Sequence, residues 1–282
     1  MKTLKRILAA TTLLVTLGFA SEANAQVPLE NFFKNPEKAG YQISPDGKYF
    51  SYMAPYENRL NLFVQEVGSD KATRITSETV RDLAGSMWAN GHRILYIKDT
   101  AGDENFQLYG VNVDGTDSKA YTAFPKVRTT IIDPLENIDS LVIIGLNKRN
   151  PQVFDPYRLN LNNGELTQLA ENPGNIQGWM TDHNGKLRVA LAIVDGVNTQ
   201  ILYRETEEQP FRPVLTTNFK ETVSFATFTP DNKMVYALTN IGRDKTALVL
   251  MDPATCEEKE VLYTNDKYDI SGLGYSELKK KL

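Results

Sequence analysis

One cysteine, two histidines and no apolar run long enough to cross a bilayer set the first limits on this 282-residue chain. Cys256 has no intrachain partner, so no internal disulfide can form and stability must come from packing. His92 and His183 stand far apart and, with a single thiol, offer no zinc-ligand spacing. No glycine-rich loop runs into Lys followed by Ser or Thr, which excludes the common phosphate cradle. The acidic turns "NVDGTD" and "TDHNG" lack the regular oxygen-ligand spacing and terminal Glu of a calcium loop, so no metal or cofactor is expected. A basic excess is also missing. Against 31 Lys and Arg stand 35 Asp and Glu, a net charge of −4, and nucleic-acid phosphates require a clustered basic face. Beyond Lys38 no stretch has a convincing amphipathic helical period.

The N-terminus reads as an export leader. Lys2, Lys5 and Arg6 precede an uncharged stretch from Ile7 to Ala20, and "SEANA" ends in an Ala-x-Ala cleavage site at Ala23 to Ala25. The stretch is too short for a core of roughly 30 Å, and no second one follows, so no membrane span is expected. Without residues 1–25 the chain keeps 28 basic and 34 acidic residues, and it is expected to be exported, periplasmic or extracellular. No cysteine follows the cleavage point to carry a lipid.

What is abundant is repetition. "SPDGK", "NGHR", "NGK" and "PDNK" recur with Gly47, Gly91, Gly185 and Asn232 in register, at steps of 44, 94 and 47 residues. The double step hides a further copy near Asp139, where "NIDSLVIIGL" enters an apolar strand without the glycine. After each turn come a strand, then a bulky strand ("NLFVQEV", "FQLYGVNV", "VFDPYRLNL", "QILYRE", "ALVLMD"), then, in four of five copies, a hairpin signal: "GSD", "DGTD", "NNGE" or "PATCE". A short strand closes each unit. Four antiparallel strands in about 46 residues is the period of a β-propeller blade, the stretch before each turn being the innermost strand. The expected fold is therefore all-β. About five four-stranded blades occupy residues 40–282 after a lead-in at 26–39, and "ISGLGYS" stands where the first strand of a sixth would begin. A β-sandwich with similarly spaced turns is the competing architecture; an outer-membrane barrel would need longer alternating strands.

Three passages carry a more specific likeness. "NPEKAGYQISPDGKYFSYMAP", "DTAGDENFQLYGVNVDG" and "NKRNPQVFDPYRLNLNNGE" resemble the N-terminal propeller of exported prolyl oligopeptidase-family serine peptidases, in the acylaminoacyl-peptidase and dipeptidyl-peptidase-like branch. The resemblance covers essentially all of the chain after the leader. It implies a partner, an α/β-hydrolase domain C-terminal to this chain with a Ser nucleophile in a G-x-S-x-G elbow and a downstream Asp and His. No such elbow occurs here, and "SGLGYSE" has the wrong order. With His92 and His183 both in corner turns of different blades, no nucleophile has a base within reach, so no catalytic residue is expected and both are read as solvated turn residues.

The resemblance also implies where substrate would pass. Asp103, Glu104 and Asn105 of "GDEN" join two strands of the second blade, and Arg149 and Asp155 lie in the equivalent connection of the third. Facing a cavity between propeller and hydrolase, Glu104 would meet a peptide amine and Arg149 a carboxylate. The competing reading is that these residues bridge blades or cap turns. Glu207 and Glu208 are similar to the paired glutamates with which dipeptidyl peptidases hold an amino terminus, but sit at a plain hairpin position. The expected role is the noncatalytic propeller of a secreted peptidase, covering the active site and filtering peptide substrates, with the chain truncated before the hydrolase. The alternative is a self-standing secreted propeller, TolB-like or WD40-like, that binds a peptide, glycan or envelope protein.

Overall fold

A computed structural model describes residues 27–282, and the leader expected at 1–25 lies outside the described residues. The chain divides into two units, Met1–Glu37 and Lys38–Leu282. In the first, the described residues include one short helix, α1 (Leu29–Phe33), with no buried residue and no side-chain cap.

The second unit is built from five four-stranded sheets, each a simple up-and-down meander. The first holds β1 (Ala39–Ile43), β2 (Tyr49–Tyr56), β3 (Arg59–Glu66) and β4 (Ala72–Arg74). The second holds β5 (Gly85–Asn90), β6 (Arg93–Lys98), β7 (Gln107–Asn112) and β8 (Lys119–Ala120). The third holds β9 (Thr129–Asp133), β10 (Leu141–Asn150), β11 (Val153–Asn160) and β12 (Leu166–Gln168). The fourth holds β13 (Ile176–Thr181), β14 (Leu187–Val194), β15 (Asn198–Tyr203) and β16 (Arg212–Thr217). The fifth holds β17 (Val223–Phe228), β18 (Val235–Thr239), β19 (Ala247–Met251) and β20 (Glu258–Tyr263). These are the blades of a β-propeller, in the strand order and at the hairpin positions that the repeat predicts.

Alternation on the middle strands builds the core between blades rather than within them. Ile94 and Tyr96 of β6 pack with Leu62 and Val64 of the first blade, while Leu95 between them packs with Val142, Ile144 and Leu159 of the third. A third cluster joins Val189, Ile201 and Tyr203 of the fourth blade to Phe228, Val235 and Val249 of the fifth. Because a strand's side chains point alternately to its two faces, one apolar strand serves two neighbours. Each fully buried Leu, Ile or Phe contributes about 1.5–3 kcal/mol relative to exposure.

The turns between first and second strands form one face, and polar ties fix which blades are neighbours there. Asn90 donates to the Asp139 carbonyl at 3.0 Å, Arg158 Nη2 to the Gly185 carbonyl at 2.8 Å, and the His183 amide to Asn232 Oδ1 at 2.9 Å. A Cβ at Gly91 would stand 2.9 Å from Asp46 Oδ2, so the corners of the first and second blades approach closely there. Gly47 and Asn232 instead supply positive φ, at 71° and 58°. The glycine-free copy near Asp139 is a longer corner in which Leu135 takes the left-handed conformation, φ 53°.

Tyr41 and Ile43 are exposed on β1, as are Val261 and Tyr263 on β20, and among the described residues no strand of the first blade pairs with one of the fifth. The stretch "ISGLGYS", expected to begin a sixth blade, forms no strand among the described residues; Ile270 N donates to the Thr246 carbonyl at 3.1 Å, and the Tyr275 ring lies 6.3 Å from that of Tyr236. Ser276 and Lys281 form an isolated bridge.

Candidate functional site

In a meander, successive connections alternate between the ends of the sheet. The links between second and third strands therefore gather on the face opposite the corner turns, and they carry the residues that the sequence singles out. In the second blade, the link between β6 and β7 is a self-bonded loop. Asp103 Oδ1 accepts from the amides of Thr100 at 3.2 Å and Asn105 at 3.1 Å, and Asn105 Nδ2 donates to Asp103 Oδ2 at 3.1 Å. The Asn105 side chain is the largest influence holding the Asp103 carboxyl below its ordinary range. Buried Asp99 anchors the loop, accepting the Glu104 amide at 3.2 Å while Arg81 Nε lies 3.3 Å from its other oxygen. Glu104 itself has φ 57°, and its exposed carboxylate has no partner among the described residues. Of the group, it is the side chain left free to meet a ligand.

In the third blade the link is tighter than the sequence suggests. Strands β10 and β11 extend to Asn150 and from Val153, so Arg149 and Asp155 lie within the strands rather than in a loop. They are joined in a two-armed ion pair, and Asp155 also accepts the Asn172 amide at 2.7 Å while Arg149 donates to the Asn172 carbonyl at 2.7 Å. Burial opposes ionisation of Asp155, but the Arg149 and Asn172 bonds outweigh it and hold the carboxyl low. The structure thus brings Arg149 to Asp155 and Asp103 to Asn105. No hydrogen bond or ion pair links these two groups among the described residues.

Glu207 is likewise engaged. Its Oε1 accepts from Arg158 of the third blade at 2.7 Å and from the Leu187 amide at 2.9 Å, whereas Glu208 stays exposed. The paired glutamates do not act as a pair.

The two histidines differ. His92 is exposed, as the sequence reading expects, but His183 is not a solvated turn residue: its Nε2 lies 2.9 Å from the Phe228 carbonyl and its Nδ1 3.3 Å from Glu277 Oε2. It lines a cleft of about 540 Å³ between the corners of the third and fourth blades, Ala226, Thr227 and Leu238 of the fifth, and the segment around Gly272 to Glu277. Sequence reasoning missed this cleft because its partners lie up to 140 residues apart, as Asn137 and Glu277 do. The one local signal was the unusually long corner "DPLENID".

Comparison with known proteins gives two relatives. The chain is 30% identical over 249 residues to dipeptidyl aminopeptidase BIII of Pseudoxanthomonas mexicana, a match covering 85% of this chain and 35% of the relative. It is 27% identical over 281 residues to dipeptidyl peptidase family member 6 of Caenorhabditis elegans, covering 93% and 37%. The chain therefore spans little more than a third of the length of either relative. No protein-family model matches it. Among solved structures, a prolyl endopeptidase superposes with a TM-score of 0.58 at 13% identity, over 91% of this chain and 42% of the other. Oligopeptidase B from Leishmania major does so with 0.54 at 10%, over 82% and 35%. At these identities the structural likeness speaks for the fold.

Proposed function

We propose, for a chain that is a homologue of the dipeptidyl peptidases and has the propeller fold of prolyl oligopeptidase-type enzymes, that it is the noncatalytic propeller portion of a secreted serine peptidase. The observation that carries the reading is the joint one of five blades and 30% identity over 85% of the chain to a dipeptidyl aminopeptidase. Fold alone would not carry it, because propellers host many functions.

In this reading the face of second-to-third-strand links covers a separate hydrolase domain, and the propeller admits peptides while excluding folded proteins. Glu104, exposed on that face, is the side chain available for a peptide amine. Arg149 and Asp155 stiffen the entrance, since each already satisfies the other. The leader directs export, and processing after Ala25 leaves Gln26 as the N-terminus.

The test combines the locus with the protein. DNA beyond the codon for Leu282 is translated in all frames, and residues 26–282 are purified, assayed with dipeptidyl anilides and weighed by light scattering. Expected are further blades and a G-x-S-x-G, in the same frame or a neighbouring one, and no hydrolysis by the purified chain. A locus without them, together with a monomer that unfolds cooperatively, would instead favour a self-standing binding propeller.

A further inference from the structure

The three apolar clusters join the first blade to the second, the second to the third and the fourth to the fifth, and none joins the third to the fourth. That seam is tied by polar groups instead, with Arg158 reaching the Gly185 carbonyl and Glu207. It also holds a cleft of about 360 Å³, within the range of about 300–1,000 Å³ typical of small-molecule sites. The walls come from residues between Ala170 and Phe211, far from either end of the chain.

The pleat explains the space. Trp179, Ala190 and Leu202 are cross-strand partners on β13, β14 and β15, so their side chains share one face of the fourth blade, and the small Ala190 between two large neighbours leaves the cleft open. Phe211 stands against Trp179, with ring centroids 5.7 Å apart and planes at 54°. The segment between β12 and β13 completes the lining.

In this apolar setting lies a charge without a counter-charge. Arg204, only 5% exposed, donates from Nε to the Leu187 carbonyl at 2.8 Å, from Nη1 to the Glu207 carbonyl at 3.0 Å and from Nη2 to the Leu169 carbonyl at 3.3 Å, and its guanidinium carbon stands 4.3 Å from the Phe211 ring centre. Three carbonyls occupy three of the five N–H donors and neutralise none of the charge. The other buried arginines among the described residues are paired: Arg93 with Asp117 at 3.0 Å and Arg188 with Glu205 at 3.1 Å. Glu207, whose carbonyl Arg204 already holds, spends its carboxylate on Arg158 at 2.7 Å. Burial is foremost in lowering the Arg204 pKa, yet a guanidinium keeps its proton, so what the site lacks is an anion. Glu171 is the one carboxylate lining the cleft; it is exposed and lies in the field of Arg149.

We propose that the cleft between the third and fourth blades binds an apolar carboxylate, with the anion on Arg204 and the apolar body against Trp179 and Phe211. This is the chemistry of a free aromatic acid and equally of a peptide's C-terminal apolar residue. The site does not depend on a peptidase partner.

Calorimetric titration of the purified, cooperatively folded chain tests it with three probes: N-acetyl-phenylalanine, its uncharged amide and 3-phenylpropionate. The acid should bind about tenfold or more tightly than the amide, the loss expected for a charge-assisted hydrogen bond in a buried site. Phenylpropionate binding as well as the acid would mark a site for free aromatic acids, and weaker binding a site for peptide C-termini; both support the cleft. Arg204→Gln should abolish the preference for acid over amide. Phe211→Ala, which leaves the arginine in place and guards against misfolding of the first variant, should weaken the acid severalfold. Acid and amide bound alike, no binding of the acid to the folded chain, or affinity untouched by Phe211→Ala would each overturn the proposal.

Discussion

Arg149 grips Asp155 with two arms, Nε to Oδ2 and Nη2 to Oδ1, both at 2.8 Å. The carboxylate is fully buried and the guanidinium partly exposed, so the two sides of the pair are not equivalent. Removing the arginine leaves a buried charge with the Asn172 amide as its remaining donor; removing the carboxylate leaves a cation that can turn to water.

Arg149→Ala should therefore destabilise the chain more than Asp155→Asn, because a buried unpaired charge costs more than a partly exposed one. Urea unfolding checks the order. Equal losses would refute the asymmetry, and no loss from either would mean that the pair does not brace the link and would return Arg149 to the role of a free substrate contact.

The corner turns make a second, spectroscopic prediction. "SPDGK" and "TPDNK" close alike: Ser44 Oγ and Thr229 Oγ1 each donate to the following aspartate at 2.7 Å, and the Lys48 and Lys233 amides reach the same oxygens at 3.2 Å. The Ser44 bond is foremost in lowering the Asp46 carboxyl to about 2, and Thr229 foremost in lowering Asp231. A carboxyl lowered in the folded state stabilises that state above its unfolded value of 3.8 and ceases to do so as pH falls through about 2. Carboxyl-carbon NMR should place the Asp46 midpoint near 2 in the native chain and closer to 3.8 after Ser44→Ala. An Asp46 midpoint unchanged by that substitution would refute the account.

Much of this was legible because it is local. Turn residues at a fixed period, and bulky alternation after them, state the blade, its four strands and their order without any long-range information. Asp103 and Asn105 could be located for the same reason, being bonded within their own loop. Arg149 to Asp155 was placed in the right blade but in the wrong element, since strand length depends on pairing across β10 and β11 rather than on the Pro151 between them. His183 was misread as solvated because its partners, Phe228 and Glu277, come from the next blade and from the last segment. What the sequence hides is cross-blade geometry, which a repeat period cannot encode.

Gly110 offers a test of that cross-blade packing. It lies in β7 under the Tyr121 ring, and a Cβ would stand 2.7 Å from Tyr121 Cε2 and 3.1 Å from Arg93 Nε. Those two groups form a tie between blades: Arg93 donates to the Tyr121 hydroxyl at 2.9 Å, which donates to the Leu161 carbonyl of the third blade at 2.7 Å. Gly110→Ala should cost about 1–3 kcal/mol through overpacking, although alanine is otherwise acceptable in a strand. Adding Tyr121→Leu should recover part of the loss. A neutral Gly110→Ala in thermal unfolding would show that the ring yields freely and that the tie is not stiff.

Glu207 and Glu208 separate a bracing role from a ligand-holding one most directly. Glu207 is mostly buried, and its charge is met by Arg158 at 2.7 Å, by the Leu187 amide at 2.9 Å and by Lys186 at 3.6 Å. Burial opposes its ionisation, but the Leu187 amide and Arg158 outweigh it and keep the carboxyl low, so its contribution is present above the ordinary carboxylate range and is lost as pH falls below it. Glu207→Gln should destabilise by about 1–2 kcal/mol at neutral pH, with the difference from wild type shrinking in acid, because the third and fourth blades lose a charge-assisted link. Glu208→Gln, at an exposed position, should leave stability unchanged within error. If the two instead held a peptide amino terminus together, both substitutions would leave stability alone and weaken peptide binding alike. Urea titrations at two pH values, with peptide binding measured on the same two variants, distinguish the outcomes. An unequal pair in stability means that Glu207 is part of the scaffold.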